Sequence, residues 1–441
     1  MKIVKSYPLI ERDFDDVIAF RANGSVCVSE FVREAIALAK ALPDHQYVIN
    51  LHTDRYRYLL GFCAAIIAGQ CILMPANRQP QTLEQLKRDY PDVYSMDVNL
   101  PGEFVVDGVA PGENVVSCPQ IAANQLCAIA FTSGSTGVPA PNFKYWQTLR
   151  IGGLNNNKML LADLHEPINL VATVSAQHMW GMETSILLPM FGGAAIGHVC
   201  PFFPQDIADA LVKLPPHRGL ISSPVHLEVL LRSGVQLPGI KRIFSATSPL
   251  STALACQLEA SLNTQVLDIF GSSESGIIAN RQTSTESLWN LSNIFELVTK
   301  ADGFEIRADH LPENVLIPDI VEKTGEGKFR WLGRHQDIVN IAGKRGSFRD
   351  LNQRLRNVSG VEDGVIFFPE GRDDHLAALV VAPELSVTEI LNALKPQVDP
   401  VFLPRSVYSI DALPRQETGK LASVAVNNLF DKLREASKKR A

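Results

Sequence analysis

The stretch Ala128-Ile129-Ala130-Phe131-Thr132-Ser133-Gly134-Ser135-Thr136-Gly137-Val138-Pro139 sets a short apolar strand directly against a loop of glycines and hydroxyl residues. Gly134 and Gly137 let the backbone come close to a ligand. The hydroxyls of Thr132, Ser133, Ser135 and Thr136, with the turn N–H groups, can surround phosphate oxygens. The loop is not a Walker A motif, because Val138 stands where that motif needs a lysine after glycine. Nor is it a serine-hydrolase elbow, because Ser133 occupies the first glycine position of that pattern. Taken by itself, the loop leaves a plain Ser/Gly connection open beside the phosphate reading.

Outward from this strand, similar runs recur: Tyr47 to Leu51, Leu170 to Val174, Ile240 to Ser245 and Gln265 to Phe270. Between them lie helical patterns at Ser29 to Leu42, Tyr56 to Ala68 and Ser251 to Leu262. This alternation predicts an α/β fold, with mostly parallel sheets covered by helices and ligands at the carboxyl ends of the strands. Polar, turn-rich sequence runs from Lys328 to Gly346. Beyond it come a helix (Asp350 to Val358), two strands (Gly364 to Phe368 and Ala377 to Ala382), a helix (Val387 to Leu394) and a strand near Ser406 to Ile410. These predict a small α+β domain of roughly 100 residues. The expected division is a large domain over 1–333 and a small one over 334–441.

The chain has 441 residues, 46% hydrophobic and 20% charged, with a formal net charge of -6. That balance argues against nucleic acid as the main partner, and the basic Lys438-Lys439-Arg440 reads as a solvated tail. The first sixteen residues show no signal peptide. The apolar stretch Tyr58 to Met74 is shorter than the roughly 20 residues that span a bilayer, so it reads as a buried helix entering a strand. Seven cysteines without a Cys-x-x-Cys pair suggest reduced thiols and a cytoplasmic setting.

The segment Thr132 to Pro139 resembles the phosphate loop of the adenylate-forming enzymes: acyl-CoA synthetases, peptide-synthetase adenylation domains and luciferases. Their loop ends in lysine; here Ala140 takes its place, with Lys144 the nearest substitute. Further motifs follow in the family's order. Asp268-Ile269-Phe270-Gly271-Ser272-Ser273-Glu274 is similar to Tyr-Gly-x-Thr-Glu. The resemblance implies that Phe270 stacks on adenine, that the neighbouring backbone borders the nucleotide, and that Glu274 holds Mg²⁺, an ion that suits one or two carboxylates plus phosphate oxygens. Ser245-Ala246-Thr247-Ser248-Pro249-Leu250 is similar to Ser-Gly-Gly-Ala-Pro-Leu, which borders adenine and the acyl pocket in the family. Both glycines gain side chains here, at Ala246 and Thr247. Extra atoms at a pocket wall predict a small or flat acid in preference to a long aliphatic one.

His178, in Gln177-His178-Met179-Trp180-Gly181, matches the family's histidine beside the acyl site, and Trp180 and Met182 fit either an aromatic pocket or the core. By the same resemblance Asp319 holds the ribose hydroxyls, Arg334 touches ribose, and Arg345 of Gly343-Lys344-Arg345 lies near the phosphate end after domain rotation. Gln336 occupies the hinge position, usually Asp or Lys. Leu413-Pro414-Arg415-Gln416-Glu417-Thr418-Gly419-Lys420 is similar to the family's Leu-Pro-x-x-x-x-Gly-Lys. Lys420 is thereby the adenylation lysine, a compact charge suited to carboxylate and α-phosphate oxygens.

What the resemblance implies is an ATP-dependent ligase that makes an acyl-AMP from a small carboxylic acid and then a thioester on CoA or an acyl carrier protein. The catalytic set would be Lys420, Thr132 and His178, with Mg²⁺ and ATP as cofactors. The chain is shorter than most members, with little room between Glu274 and Asp319 for the usual β-barrel subdomain. In this it resembles the compact ligases of aryl-polyene and xanthomonadin pigment pathways, which activate hydroxybenzoate-type acids. Two other readings stay open: a non-catalytic nucleotide-binding or scaffold member, motivated by Ala140, Gln336 and the lost glycines, and a luciferase-like or reductive use of the adenylate.

Overall fold

The run read as a buried helix entering a strand folds as helix Arg55–Ile67 and strand Cys71–Met74. Asp54 caps the helix start, its side chain accepting from the Arg57 N–H. Gly69, at φ +76°, stops it. The Gly69 N–H reaches the Ile66 carbonyl and the Gln70 N–H the Ala65 carbonyl, the paired bonds of a Schellman end that favours glycine. From Tyr56 to Ile66 every residue except Arg57 is buried, which places this helix inside the core.

A computed structural model describes residues 5–97, 117–132, 140–300, 303–334, 338–341, 344–369, 375–415 and 421–438. The chain forms two compact units, the first of residues 1–298, 306–315 and 325–329, the second of 299–305, 316–324 and 330–441.

The first unit holds two mostly parallel sheets. A five-stranded sheet runs in the order Val93–Met96, Tyr47–Asn50, Cys71–Met74, Leu126–Thr132, Ala140–Tyr145, with only the last strand antiparallel. A second sheet is parallel across Gln265–Ser272, Ile240–Ser245, Arg218–Ser222, Ile168–Ala172, Ala194–Gly197 and Val17–Arg21. It is flanked by antiparallel strands Gly24–Cys27 on one side and Gly276–Arg281 and Trp289–Leu291 on the other. The central strands are buried along nearly their whole length, as sheets covered on both faces require.

One apolar core, including Phe31, Phe62, Trp146, Phe191 and Phe244, joins both sheets through helices Val28–Ala41, Arg55–Ile67 and Trp146–Leu161. Each such side chain contributes about 1.5–3 kcal/mol when fully buried. Arg55, 1% exposed, ties the helix start to the second sheet. Its guanidinium donates to Ser185 Oγ at 2.9 Å and to the carbonyls of Ala172 and Val174.

In the second unit, strands Asp363–Phe367, Ala377–Val381 and Ser406–Ser409 form a three-stranded sheet. Helices Phe348–Arg356 and Val387–Leu394 contribute to one apolar cluster on it, and Ser423–Lys438 contributes to another. The stretch from Lys328, which reads as polar turns, contains strands Lys328–Arg334, Ile338–Ile341 and Lys344–Ser347. Strand pairing there overrides a polar composition that carries no clean two-residue period.

His310, 7% exposed, has its ring 5.3 Å from that of Phe295. Burial holds its pKa down at about 4, with the nearby Lys144 charge acting in the same direction and Asp309 opposing. An unfolded chain takes up this proton near pH 6.5, whereas the folded one does so only near pH 4. Stability from this group is therefore present above pH 6.5 and is lost as pH falls towards 4. Thermal melts between pH 7.5 and 4.5 should show a shallower acid loss for His310→Gln than for the parent chain; parallel curves would refute the assignment.

Candidate functional site

The phosphate-loop expectation rests on Ser133, Gly134, Ser135, Thr136 and Gly137, which lie outside the described residues, as do Gln336, Lys420 and the side chains of Thr132, Arg334 and Arg345. The flanks of the loop are described. Thr132 and Ala140 are paired across antiparallel strands, so the loop leaves and re-enters the sheet at neighbouring points. Lys144 lies on the returning strand, paired with Ala128. It is 3% exposed, and its Nζ donates to the Glu274 carbonyl at 3.0 Å.

The second sheet supplies the other parts of the site. Register aligns Ser222 with Ser245, the last residues of their strands, and Ser245 with Asp268, midway along the next strand. Asp268 is 2% exposed, and its carboxylate accepts from Arg281 at 3.1 Å and from Thr283 Oγ1 at 3.0 Å. Beyond it Phe270 meets Trp289 edge-on, with centroids 5.2 Å apart, and Phe329 at 5.7 Å. Arg281 lies 4.3 Å over the Trp289 ring and closes the cluster.

A bulge at Phe270/Gly271 leads into the turn of Ser272 to Gly276, where Ser272 Oγ accepts from the Ser275 N–H at 3.1 Å. Gly276 has φ +71°, and a Cβ there would stand 2.6 Å from Glu183 Oε1, so both conformation and space call for glycine. Glu183, 5% exposed, accepts from the Ile277 N–H at 3.0 Å and from Asn156 Nδ2 at 3.3 Å. Burial pushes the Glu183 carboxyl up and the Lys144 ammonium down, while each charge partly offsets the shift of the other.

The half-buried Glu274 carboxylate takes no hydrogen bond or ion pair from any described residue; Lys144 is occupied with the backbone carbonyl. No group of three or more His, Cys, Asp or Glu able to hold a metal occurs among the described residues. A single open carboxylate fits Mg²⁺ held jointly with phosphate oxygens. Neither Glu183 nor the destination of Lys144 follows from the motifs. The available signal is a lone acid inside the apolar run Met179 to Phe191.

On the acyl side, His178 precedes the short helix Met179–Met182, its N–H on the Ser175 carbonyl at 3.3 Å. The preceding Gln177 accepts from Arg78 at 2.8 Å and donates to the Asn50 carbonyl. These bonds link strand-end loops of both sheets. Thr247 has φ +80°, and its Oγ1 is buried with no partner among the described residues. A β-branched residue there is strained by roughly 1–2 kcal/mol. In the second unit, Asp319 is 4% exposed and accepts from Trp331 Nε1 at 2.6 Å. Arg415, at the base of the Lys420 segment, grips Asp363 through two 2.8 Å bonds and forms a bridge with Leu421.

Thr247→Gly is expected to leave stability unchanged or raise it by about 1 kcal/mol, because glycine accepts this φ freely, while Thr247→Ala keeps the strain. Urea unfolding of the two variants separates the cases. A clear loss of stability in the glycine variant would show that Thr247 is not strained.

Residues 60–294 match the family profile described as AMP-binding enzyme. VraA of Staphylococcus haemolyticus, by name a long-chain fatty acid–CoA ligase, is 22% identical over 335 residues, covering 70% of this chain and 72% of its own. A 4-coumarate–CoA ligase of Halorhodospira halophila is 27% identical over 303 residues, covering 66% of this chain and 73% of its own. The crystal structure of ATP-bound MatB from Rhodopseudomonas palustris shares the fold, with TM-score 0.81, 16% identity and coverage of 96% of this chain and 97% of its own. The match over more than half of the chain makes this protein a member of the AMP-binding enzyme family of AMP-forming ligases.

Proposed function

We propose that the protein uses ATP to turn a compact, flat or aromatic carboxylic acid, such as a hydroxybenzoate, into an acyl-AMP, and then transfers the acyl group to the thiol of CoA or an acyl carrier protein. The observation that carries this reading is the Asp268 to Gly276 segment: Phe270 stands near the end of its strand, packed edge-on against Trp289, an open carboxylate at Glu274 lies in the turn that follows, and Ser245 pairs with Asp268 on the neighbouring strand.

A carboxylate oxygen of the acid attacks the α-phosphorus, the new C(O)O–P bond forms, and pyrophosphate leaves with the electrons of the broken P–O bond. Such transfer depends on positioning and charge stabilisation. Thr132 to Gly137 cradle the triphosphate, Phe270 faces adenine, and Asp319 and Arg334 hold ribose. Glu274 would hold Mg²⁺, which supplies charge neutralisation on the phosphates. Lys420 meets the carboxylate and α-phosphate oxygens. Residues 334–441 form the domain that carries it, and their rotation about Gln336 exchanges Lys420 for Arg345 and opens the way for the thiol. His178 lies beside the acyl group. The thiol sulfur then bonds to the acyl carbon, AMP departs, and the thiol proton passes to solvent.

The relatives named above cover an aliphatic and an aromatic acid, so the preference for a compact acid rests on Ala246 and Thr247, whose side chains stand where the family has two glycines. In ATP–pyrophosphate exchange, benzoate-type acids should therefore exceed palmitate; the reverse order would overturn that preference. Exchange with no acid of a broad panel, despite ATP binding, would identify a non-catalytic member instead. Lys420→Ala should lower exchange about 10²–10³-fold while thioester formation from supplied acyl-AMP falls far less. Equal losses in both half-reactions would count against the role of Lys420.

A further inference from the structure

Strand Ala140–Tyr145 reverses the expected pleat: Phe143 is 45% exposed, whereas Lys144 is 3% exposed. A strand that turns a phenylalanine to solvent and an ammonium inward breaks the binary pattern, and such breaks mark strained or functional positions. A methionine at 144 would fill similar space without the cost of desolvating a charge. What the lysine provides instead is a donor for the Glu274 carbonyl at 3.0 Å. From the other side, Glu183 accepts the Ile277 N–H at 3.0 Å and is held by Asn156 at 3.3 Å. Two opposite buried charges thus hold the turn at both ends, and neither contacts the Glu274 carboxylate by hydrogen bond.

We propose that Lys144 and Glu183 are positioning residues that form a buried clasp on the Glu274 to Ile277 turn, fixing the Glu274 backbone so that its carboxylate is set for magnesium-bound ATP. The clasp rests on the functional reading above and extends it. The family's lysine follows the phosphate loop at position 140, where this chain has alanine. Here a lysine two pleats further along the same strand face anchors the metal carboxylate through the backbone instead. Lys144 ties the strand leaving the phosphate loop to the turn that carries Glu274, so the two phosphate-facing elements share one support although they come from different sheets. Groups that orient a metal ligand from behind typically change metal affinity about 10–100-fold when removed.

The test is calorimetric titration of ATP, with and without Mg²⁺, into the full chain, Lys144→Met and Glu183→Met, with thermal melts alongside. The parent chain should gain affinity from Mg²⁺. Both variants should lose about tenfold of that gain while metal-free ATP affinity changes less than about twofold, and the Mg²⁺ midpoint for pyrophosphate exchange should rise correspondingly with the acid KM unchanged. Glu183→Met, which removes the acceptor of the Ile277 N–H at similar volume, carries the test if Lys144→Met does not fold. A parent chain that binds ATP in neither form overturns the functional reading and the clasp together. A parent chain with a magnesium gain that both variants keep in full overturns the clasp alone.

Discussion

The fully buried guanidinium of Arg55 is the joint on which the first unit depends. It begins a helix belonging to the five-stranded sheet, yet bonds to Ser185 and to the carbonyls of Ala172 and Val174 at the strand end of the second sheet. The strands that flank residues 133–139 belong to one sheet, and the motifs at 245–250 and 268–274 arise from the other. A nucleotide can be gripped by both only if the two sets of carboxyl ends stay in step. Removing a buried charged donor leaves its acceptors unsatisfied, at a cost well above that of an ordinary surface bond. The joint is therefore a positional constraint as well as a stabilising one.

The same logic explains why the site combines rigid and open groups. Asp268 is committed to Arg281 and Thr283, and the aromatic trio of Phe270, Trp289 and Phe329 fixes the strand end. Glu183 and Lys144 hold the following turn by its backbone. Of these acids, Glu274 alone takes no hydrogen bond on its carboxylate from a described residue, although the Lys144 charge acts on it through space. Preorganised support around an uncommitted group is what electrostatic catalysis requires.

Much of this was legible in the residues. The runs at Ile240 to Ser245 and Gln265 to Phe270 read as buried strands because both faces are covered and the apolar pattern is continuous. Thr247 stands where glycine is usual, and the structure keeps the left-handed backbone that glycine would favour. Less legible were the strands between Lys328 and Ser347, whose polar residues carry no clean period, and the split into two sheets, since alternation of helix and strand does not say which strands pair.

The amino-acid sequence by itself determined the family, the order of the motifs and the residue types within each motif, because those depend on local chemistry and spacing. Only the tertiary structure decided what Lys144, Glu183 and Arg55 do. Lys144 stands 130 residues before Glu274, and Arg55 stands 130 before Ser185. Their roles exist only where the folded backbone brings a carbonyl or hydroxyl within bonding distance and removes water, and no local pattern encodes that proximity.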